Sequence, residues 1–339
     1  MKALVLGTGL IGASVGAGLG RKGWAVAGWD PSSAALQGAR EMGGIETIAA
    51  GIEPAAKEAD LVVLAGPVRA IIDALGDLRT DALVTDVAGV KTPVVRAGSH
   101  LAHFVGGHPM AGRESSGPSA ASPAMFHGAS WILVTDGAAE ADLARMEKIV
   151  ETLGARPVRM AAAEHDAAVA AVSHVPQVLA SALVNLVADE GGALSLAAGG
   201  FRDLTRIALS DPAWWIDILN ENRAQVARLV RSLSEDLRWW ADCIAAQDRD
   251  EVTGALQSAR TVREGLAAPV AAVQVLLEDR PGEIARVGHA LARTGADVRD
   301  LQLRHATRGG GGILTLSVRM GQEGELAQAL RAEGFRLVG

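Results

Sequence analysis

The sequence predicts an α/β protein in three parts: a doubly wound parallel sheet over residues 1–160, an all-helical middle over 161–267, and a small βαββαβ module over 268–339. Three observations predict it. Short apolar runs ending in glycine or aspartate alternate with helical segments as far as Met160. Strand signals then stop for about a hundred residues. After Ala268-Pro269 the pattern returns as strand, helix, two strands, helix and strand in about 70 residues, the order of a ferredoxin-like unit.

Taken in order, Lys2 to Leu6 is an apolar strand, and Gly7-Thr8-Gly9-Leu10-Ile11-Gly12 turns it into a helix of small residues. A second strand from Trp24 to Trp29 ends at Asp30. This is a dinucleotide-binding signature in its required context, so the first part is a Rossmann-type domain. Gly7 permits the tight turn, Gly9 lets a pyrophosphate approach the backbone, and Gly12 allows the helix to pack closely on the strand. The unpaired N–H groups of the helix start face the phosphates. Asp30 is placed to accept hydrogen bonds from the adenosine ribose hydroxyls, and its charge would repel a 2′-phosphate, which favours NAD over NADP.

The alternation continues through Leu61–Ala65, leading to Gly66-Pro67, and through Ala82–Thr85, leading to Asp86 and a turn at Ala88-Gly89. Pro67 and Gly89 thus lie at strand C-termini, the edge where such sheets bind ligands. The next strand end carries Gly106-Gly107-His108-Pro109, read as a loop because glycine and proline rule out a helix or an interior strand. A titratable imidazole there should look onto the nicotinamide. Trp131–Thr135 and Arg156–Met160 are expected to close the same sheet.

In the middle part, helices are expected over 161–188, 193–198, 212–235 and 236–265. Residues 167–188 carry no charge, a length that could span a bilayer. Ser173, His174, Pro176, Gln177, Ser181 and Asn185 make a lipid-facing helix a poor fit, and burial between protein surfaces a better one. One chain of this size struggles to surround such a helix, so a homodimer with interlocking helices is expected. Asp203 and Arg206 share a helix face, and the guanidinium could grip a carboxylate. An ordinary surface ion pair is the competing reading. His174 could be a core histidine or a pocket wall, and Trp214-Trp215 and Trp239-Trp240 read first as packing, although one indole could cover a ring-shaped substrate.

Composition narrows the classes. Apolar residues make up 49% and charged residues 21%, an ordinary soluble balance, and a net charge of −7 with no basic run argues against a nucleic-acid partner. The single cysteine, Cys243, excludes an internal disulfide or a cysteine-rich metal site and suits a reducing cytoplasm. No metal is expected.

Read together, Gly7–Gly12, the Asp86–Lys91 turn, His108-Pro109-Met110-Ala111-Gly112 with Glu114, Ser173-His174-Val175-Pro176, Gly200–Ala208, Ser210–Trp215 and Asn220 resemble the prephenate/arogenate dehydrogenases of tyrosine biosynthesis. The resemblance spans residues 1 to about 265. It implies NAD-dependent oxidative decarboxylation of prephenate to 4-hydroxyphenylpyruvate, with arogenate the close variant. It also implies His108 as the catalytic histidine, Arg206 as a carboxylate-binding residue, and Glu114, beside Arg113, as a polar gate. His174, Gln177 and Trp215 would line the substrate site. Two departures stand out: the turn position that usually carries a serine bonding the catalytic histidine is Gly89, and the second histidine of Ser-His-x-Pro-His is Gln177. The orientation of His108 must then come from another group or from water.

In the last part, Asp279-Arg280-Pro281-Gly282 resembles the turn of ACT domains, which implies an amino-acid effector such as tyrosine held near Asp279, Pro281 and Gly282. A purely structural appendage is the alternative. For the whole chain, two other readings compete with the dehydrogenase. A β-hydroxyacid or imine reductase is weakened by the absence of lysine from 161–268. A nucleotide- and amino-acid-sensing protein without chemistry would differ in showing no turnover.

Overall fold

The computed structural model describes residues 1–112, 117–266, 270–305 and 311–338. Among them are two compact units, Met1–Asp236 and Leu237–Gly339.

The first unit opens with β1 (Lys2–Leu6), α1 (Leu10–Gly20), β2 (Ala25–Trp29), α2 (Ser33–Glu41), β3 (Thr47–Ile48), α3 (Ile52–Glu58), β4 (Leu61–Leu64), α4 (Val68–Asp77), β5 (Leu83–Asp86), α5 (Thr92–Gly98) and β6 (Phe104–Val105). The strands form one parallel sheet in the order β3-β2-β1-β4-β5-β6. Side chains alternate across a strand, and here both faces are buried. Ala3, Val5, Leu61 and Val63 enter one apolar cluster with α1, while Leu4, Leu6, Val62 and Leu64 enter another with α4. The order reverses between β1 and β4, so the loops after both strands open onto one crevice, as the glycine motif requires.

Two expectations are corrected here. His108 lies not in a loop but in β7 (Gly107–Pro109), a three-residue edge strand, the one place in a sheet where Pro109 is tolerated. The strands expected to close the main sheet, β8 (Ser130–Val134) and β9 (Arg156–Met160), instead form a separate sheet with β7, antiparallel at β7/β8 and parallel at β8/β9. The bend at Gly106-Gly107 separates β6 from β7. Any side chain at Gly107 would come 2.5 Å from the carbonyl oxygen of Asp86. Between β8 and β9 runs α6 (Glu140–Thr152).

The helices begin with α7 (Ala162–Val169), a π-helical turn over Ala170–His174, and α8 (Val175–Asp189). Pro176 has no N–H to send to the carbonyl of Val172, and the turn widens just before it. Only 28% of the most apolar 18-residue window in this run is buried within the chain, too little for an enclosed core helix. Val172, Leu186, Leu196 and Leu209 stand exposed. There follow a 3-10 turn at Ala193–Leu196, α9 (Gly199–Thr205), a second 3-10 turn at Arg206–Leu209, α10 (Pro212–Glu221), α11 (Arg223–Ala245) and α12 (Arg249–Leu266). The last breaks therefore fall at Asn222 and at 246–248, not at 235/236 as the sequence suggests. Asn222 is buried, its backbone leaves the helical region at φ −110° and ψ 23°, and its side chain donates to the carbonyl of Asp166.

The C-terminal module comprises β10 (Val270–Leu277), α13 (Glu283–Thr294), β11 (Val298–His305), β12 (Gly312–Arg319), α14 (Glu323–Ala332) and β13 (Arg336–Val338). Its sheet is antiparallel, ordered β11-β12-β10-β13, over a core of Val275, Val287, Leu316 and Leu326. The expected boundary residues Ala268 and Pro269 lie outside the described residues.

Trp131 fills the core directly behind β7, pairing with Pro109 and packing on Phe126 at 5.0 Å between ring centroids. Trp131→Ala is expected to cost about 3–5 kcal/mol, read as a lower urea midpoint. A change under about 1 kcal/mol would show that this sheet is not held by its core.

Candidate active site

Where β1 meets α1 the backbone is shaped for an anion. Gly7 has φ +92°, and a side chain there would strike the carbonyl of Ala65. A Cβ on Gly9 would meet nothing within 4 Å, so its missing side chain leaves space in the crevice and is not a packing demand. The N-terminus of α1 has no side-chain cap, and its N–H groups remain available to a ligand. Thr8 is buried, and its N–H donates to Asp30 Oδ2 at 2.7 Å, while the N–H of Ser32 donates to Oδ1 at 2.8 Å. These bonds fix the Asp30 carboxylate on the crevice wall at the end of β2. Gly12 packs on Gly7 behind the turn.

The crevice is a cavity of about 880 Å³. Gly7, Gly9, Leu10, Ile11 and Asp30 line one part, Pro67 and Gly89 another, and His108, Ser173, His174, Trp214 and Trp215 a third. Those groups match a dinucleotide in size and chemistry: a glycine turn for the pyrophosphate, a carboxylate for the ribose and an imidazole near the far end.

Around His108 a buried hydrogen-bonded chain appears that sequence reasoning missed. His108 Nδ1 lies 2.8 Å from His165 Nε2, with the rings edge to face at 75°. His165 Nδ1 lies 2.9 Å from Asp166 Oδ1. That carboxylate also accepts the N–H of Lys91 at 2.7 Å on Oδ1 and the N–H of Thr92 at 2.8 Å on Oδ2. The Lys91 ammonium, with no exposure to water, donates to Asp86 Oδ2 and to the carbonyl of Gly107. Asp86 Oδ1 in turn accepts the N–H of Gly107 at 3.0 Å. The residue beside His108 is therefore gripped at both its N–H and its C=O. Asn222 Nδ2 donates to the backbone carbonyl of Asp166 at 2.7 Å and lies 3.2 Å from His174 Nδ1. Trp215 stands edge to face with His174 at 5.9 Å.

The electrostatics follow from burial. His108 is held well below its ordinary value of 6.5 by loss of solvent, then by His165, Lys91 and His174, with Asp166 opposing. Burial likewise lowers His174 to about 4. Burial lowers Lys91, and Asp86 pulls the other way. Burial would raise Asp166, but the hydrogen bonds from His165, Thr92 and Lys91 outweigh it and hold the carboxyl below its usual value. At neutral pH His108 is thus a neutral imidazole, able to accept a proton.

The remaining expected residues are scattered. Gln177 is buried but not on the cavity wall, and its Oε1 has no hydrogen-bond partner among the described residues. Arg206 is exposed on the 3-10 turn and is not among the cavity-lining residues, although Ser210 and Asp211 just after it are. Arg113 and Glu114 lie outside the described residues. In the second unit, Asp279 and Gly282 line a smaller cavity of about 390 Å³ with Arg280, and Pro281 is not among its lining residues. Trp239 and Trp240 pack on each other at 5.4 Å. One signal could have revealed the missed pair: Glu164-His165-Asp166 is a polar cluster at the head of an otherwise uncharged helix.

Known proteins resemble this arrangement. Residues 15–159 match the family model described as prephenate dehydrogenase, nucleotide-binding domain, and residues 161–258 match prephenate dehydrogenase, dimerization domain. The probable prephenate dehydrogenase NovF of Streptomyces niveus is 32% identical, over 97% of each chain. The crystal structure of prephenate dehydrogenase from A. aeolicus, in complex with hydroxyphenyl propionate and NAD+, is 29% identical, with a TM-score of 0.73 over 79% of this chain and 98% of that one. Synechocystis arogenate dehydrogenase is also 29% identical, with a TM-score of 0.69 over 79% of this chain and 100% of that one.

The buried histidines make stability depend on pH. Folded, His108 and His174 bind protons less readily than the ordinary value of 6.5, with His174 at about 4. As pH falls below 6.5 the unfolded chain takes up more protons, so stability present above that pH is lost progressively towards 4. Urea midpoints measured from about pH 7.5 down to about pH 4.5 are expected to fall, and His174→Gln should flatten the trend. A midpoint that rises on acidification would contradict the neutral assignment.

Proposed function

This chain belongs to the prephenate dehydrogenase family, and we propose that it catalyses NAD-dependent oxidative decarboxylation of prephenate to 4-hydroxyphenylpyruvate in tyrosine biosynthesis. The observation that carries this reading is that the His108 imidazole lines the same crevice as the glycine turn and Asp30. Bound NAD supplies the hydride acceptor.

Prephenate carries a hydroxyl at C4 and a carboxylate at C1 of a non-aromatic ring. His108 accepts the C4 hydroxyl proton while hydride leaves C4. Carbon dioxide then departs from C1, its bonding electrons enter the ring, and the oxygen at C4 recovers the proton from His108. The proton is borrowed and returned, and aromatisation makes the last step downhill. The protein's tasks are therefore a positioned base, alignment with the cofactor and exclusion of water. Asp30 selects NAD by accepting from the ribose hydroxyls and repelling a 2′-phosphate.

Arg206 is assigned to a substrate carboxylate, Glu114 to a polar gate with Arg113 as a further substrate-binding residue, and His174 and Trp215 to the wall around the ring. The exposed apolar helices and the dimerization-domain match support a homodimer. Three domains are assigned, 1–160 for NAD, 161–267 for substrate and dimerisation, and 268–339 as an ACT-like module. The βαββαβ order and the cavity beside Asp279 and Gly282 support tyrosine as its effector. The single cysteine favours a cytoplasmic setting. Arogenate remains the second substrate reading, favoured by the likeness to the Synechocystis enzyme, since it differs only by an amine in place of the side-chain ketone.

Turnover assayed with NAD or NADP, on prephenate and on arogenate, with and without tyrosine, tests each of these assignments. His108→Asn is expected to lower kcat by about 10²–10⁴-fold while NAD binding persists. Arg206→Ala should chiefly raise KM. An unchanged kcat in the His108 variant would remove it from the mechanism, and absence of turnover on either substrate would favour a nucleotide-binding sensor.

A further inference from the structure

We propose that His165 and Asp166 are positioning residues that fix the tautomer of His108, so that its Nε2 meets the substrate as a proton acceptor. The inference rests on the proposed dehydrogenase reaction for its consequence in turnover, but its structural premise stands on hydrogen-bond bookkeeping alone.

Asp166 is the fixed end of the chain. An ionised carboxylate can only accept, and this one already takes the N–H groups of Lys91 and Thr92. Opposite Asp166 Oδ1, His165 Nδ1 must therefore carry the proton of the 2.9 Å bond. In a neutral His165 ring the proton on Nδ1 leaves a lone pair on Nε2, and the atom it faces at 2.8 Å is His108 Nδ1. His108 then donates from Nδ1, leaving Nε2 as the acceptor. That nitrogen lies on the side of the crevice: a Cβ built on Gly89, itself a cavity residue, would be 3.8 Å from it. The orientation that Gly89 cannot supply through a hydroxyl comes instead from the opposite edge of the ring.

His165 and Asp166 are both buried, so the chain has no evident path to bulk water. None is needed, because the proton taken from C4 returns to the same oxygen. The chain polarises His108 and stabilises its transient positive charge, as the carboxylate does for the histidine of a serine-protease triad. Among the described residues, the other charged and titratable groups around His108 are Lys91, from the turn between β5 and α5, its partner Asp86 at the end of β5, and His174, from the π turn. Their placement disfavours a resident imidazolium but does not choose which ring nitrogen holds the proton. Only the bond to His165 does that.

The test separates orientation from packing. In His165→Gln the amide oxygen can accept from His108 Nδ1, whereas His165→Leu leaves that donor unpaired. For His165→Leu kcat should fall by about 10–100-fold, with NAD affinity kept, and the glutamine should recover most of the loss. Long-range proton–nitrogen NMR on the ¹⁵N-histidine-labelled dimer, assigned with His108→Asn, should show His108 protonated at Nδ1 in the wild type and mixed in the leucine variant. An Nε2-protonated His108 in the wild-type protein, or equal impairment of both variants with an unchanged tautomer, would overturn the proposal. Should the wild type fail to turn over prephenate, the functional reading fails, while the tautomer measured by NMR still decides this one. If the leucine variant does not fold, the wild-type spectrum and the glutamine variant carry the test.

Discussion

A lysine side chain sealed from water holds this active site together. A buried ammonium is tolerated only when paired and hydrogen-bonded, because removing one partner leaves an uncompensated charge that costs about 3–5 kcal/mol. Lys91 meets that demand with Asp86 and the carbonyl of Gly107, while its own N–H serves Asp166. Three segments distant in sequence are thereby tied through one residue: the end of β5, the strand bearing His108 and the start of the helical part. The same ammonium helps to keep His108 neutral. A structural need and a chemical one are met by one placement.

Neutrality matters to the proposed mechanism, in which His108 offers a lone pair, and burial is what favours the uncharged ring. Low solvent access disfavours every added positive charge, so His108 and His174 both shift downwards. In that mechanism the proton taken is also returned, so the buried network has no need of an outlet. Asn222 extends the order outward by bonding both the Asp166 backbone and His174. His174 and His108 are thus parts of one hydrogen-bonded assembly.

The helical part is built for company. Its apolar run has only 28% of its most apolar window buried, and Val172, Leu186, Leu196 and Leu209 face outward. An apolar run left so open is the kind of surface that an interface covers. A second copy is the partner that the dimerization-domain match supports. Arg206 and Leu209 share the short exposed turn that leads into the cavity wall at Ser210, so this part of the crevice adjoins surface that a dimer would cover.

The sequence by itself determined the Rossmann-type sheet, the glycine turn, Asp30, His108 and the βαββαβ order of the tail. Those features rest on local signals: strand and helix periods, glycines where a Cβ cannot fit, and an acid or imidazole at a strand end. Tertiary structure alone decided that β8 and β9 leave the main sheet to pair with the histidine's own strand, since registry between distant strands leaves no trace in either one. It also decided which side chains His108 is bonded to. Residues 91, 108 and 165 are too far apart in the chain for any periodicity to link them, and only the fold brings a lysine, two histidines and an aspartate within hydrogen-bond reach, where the low dielectric makes each dependent on the others.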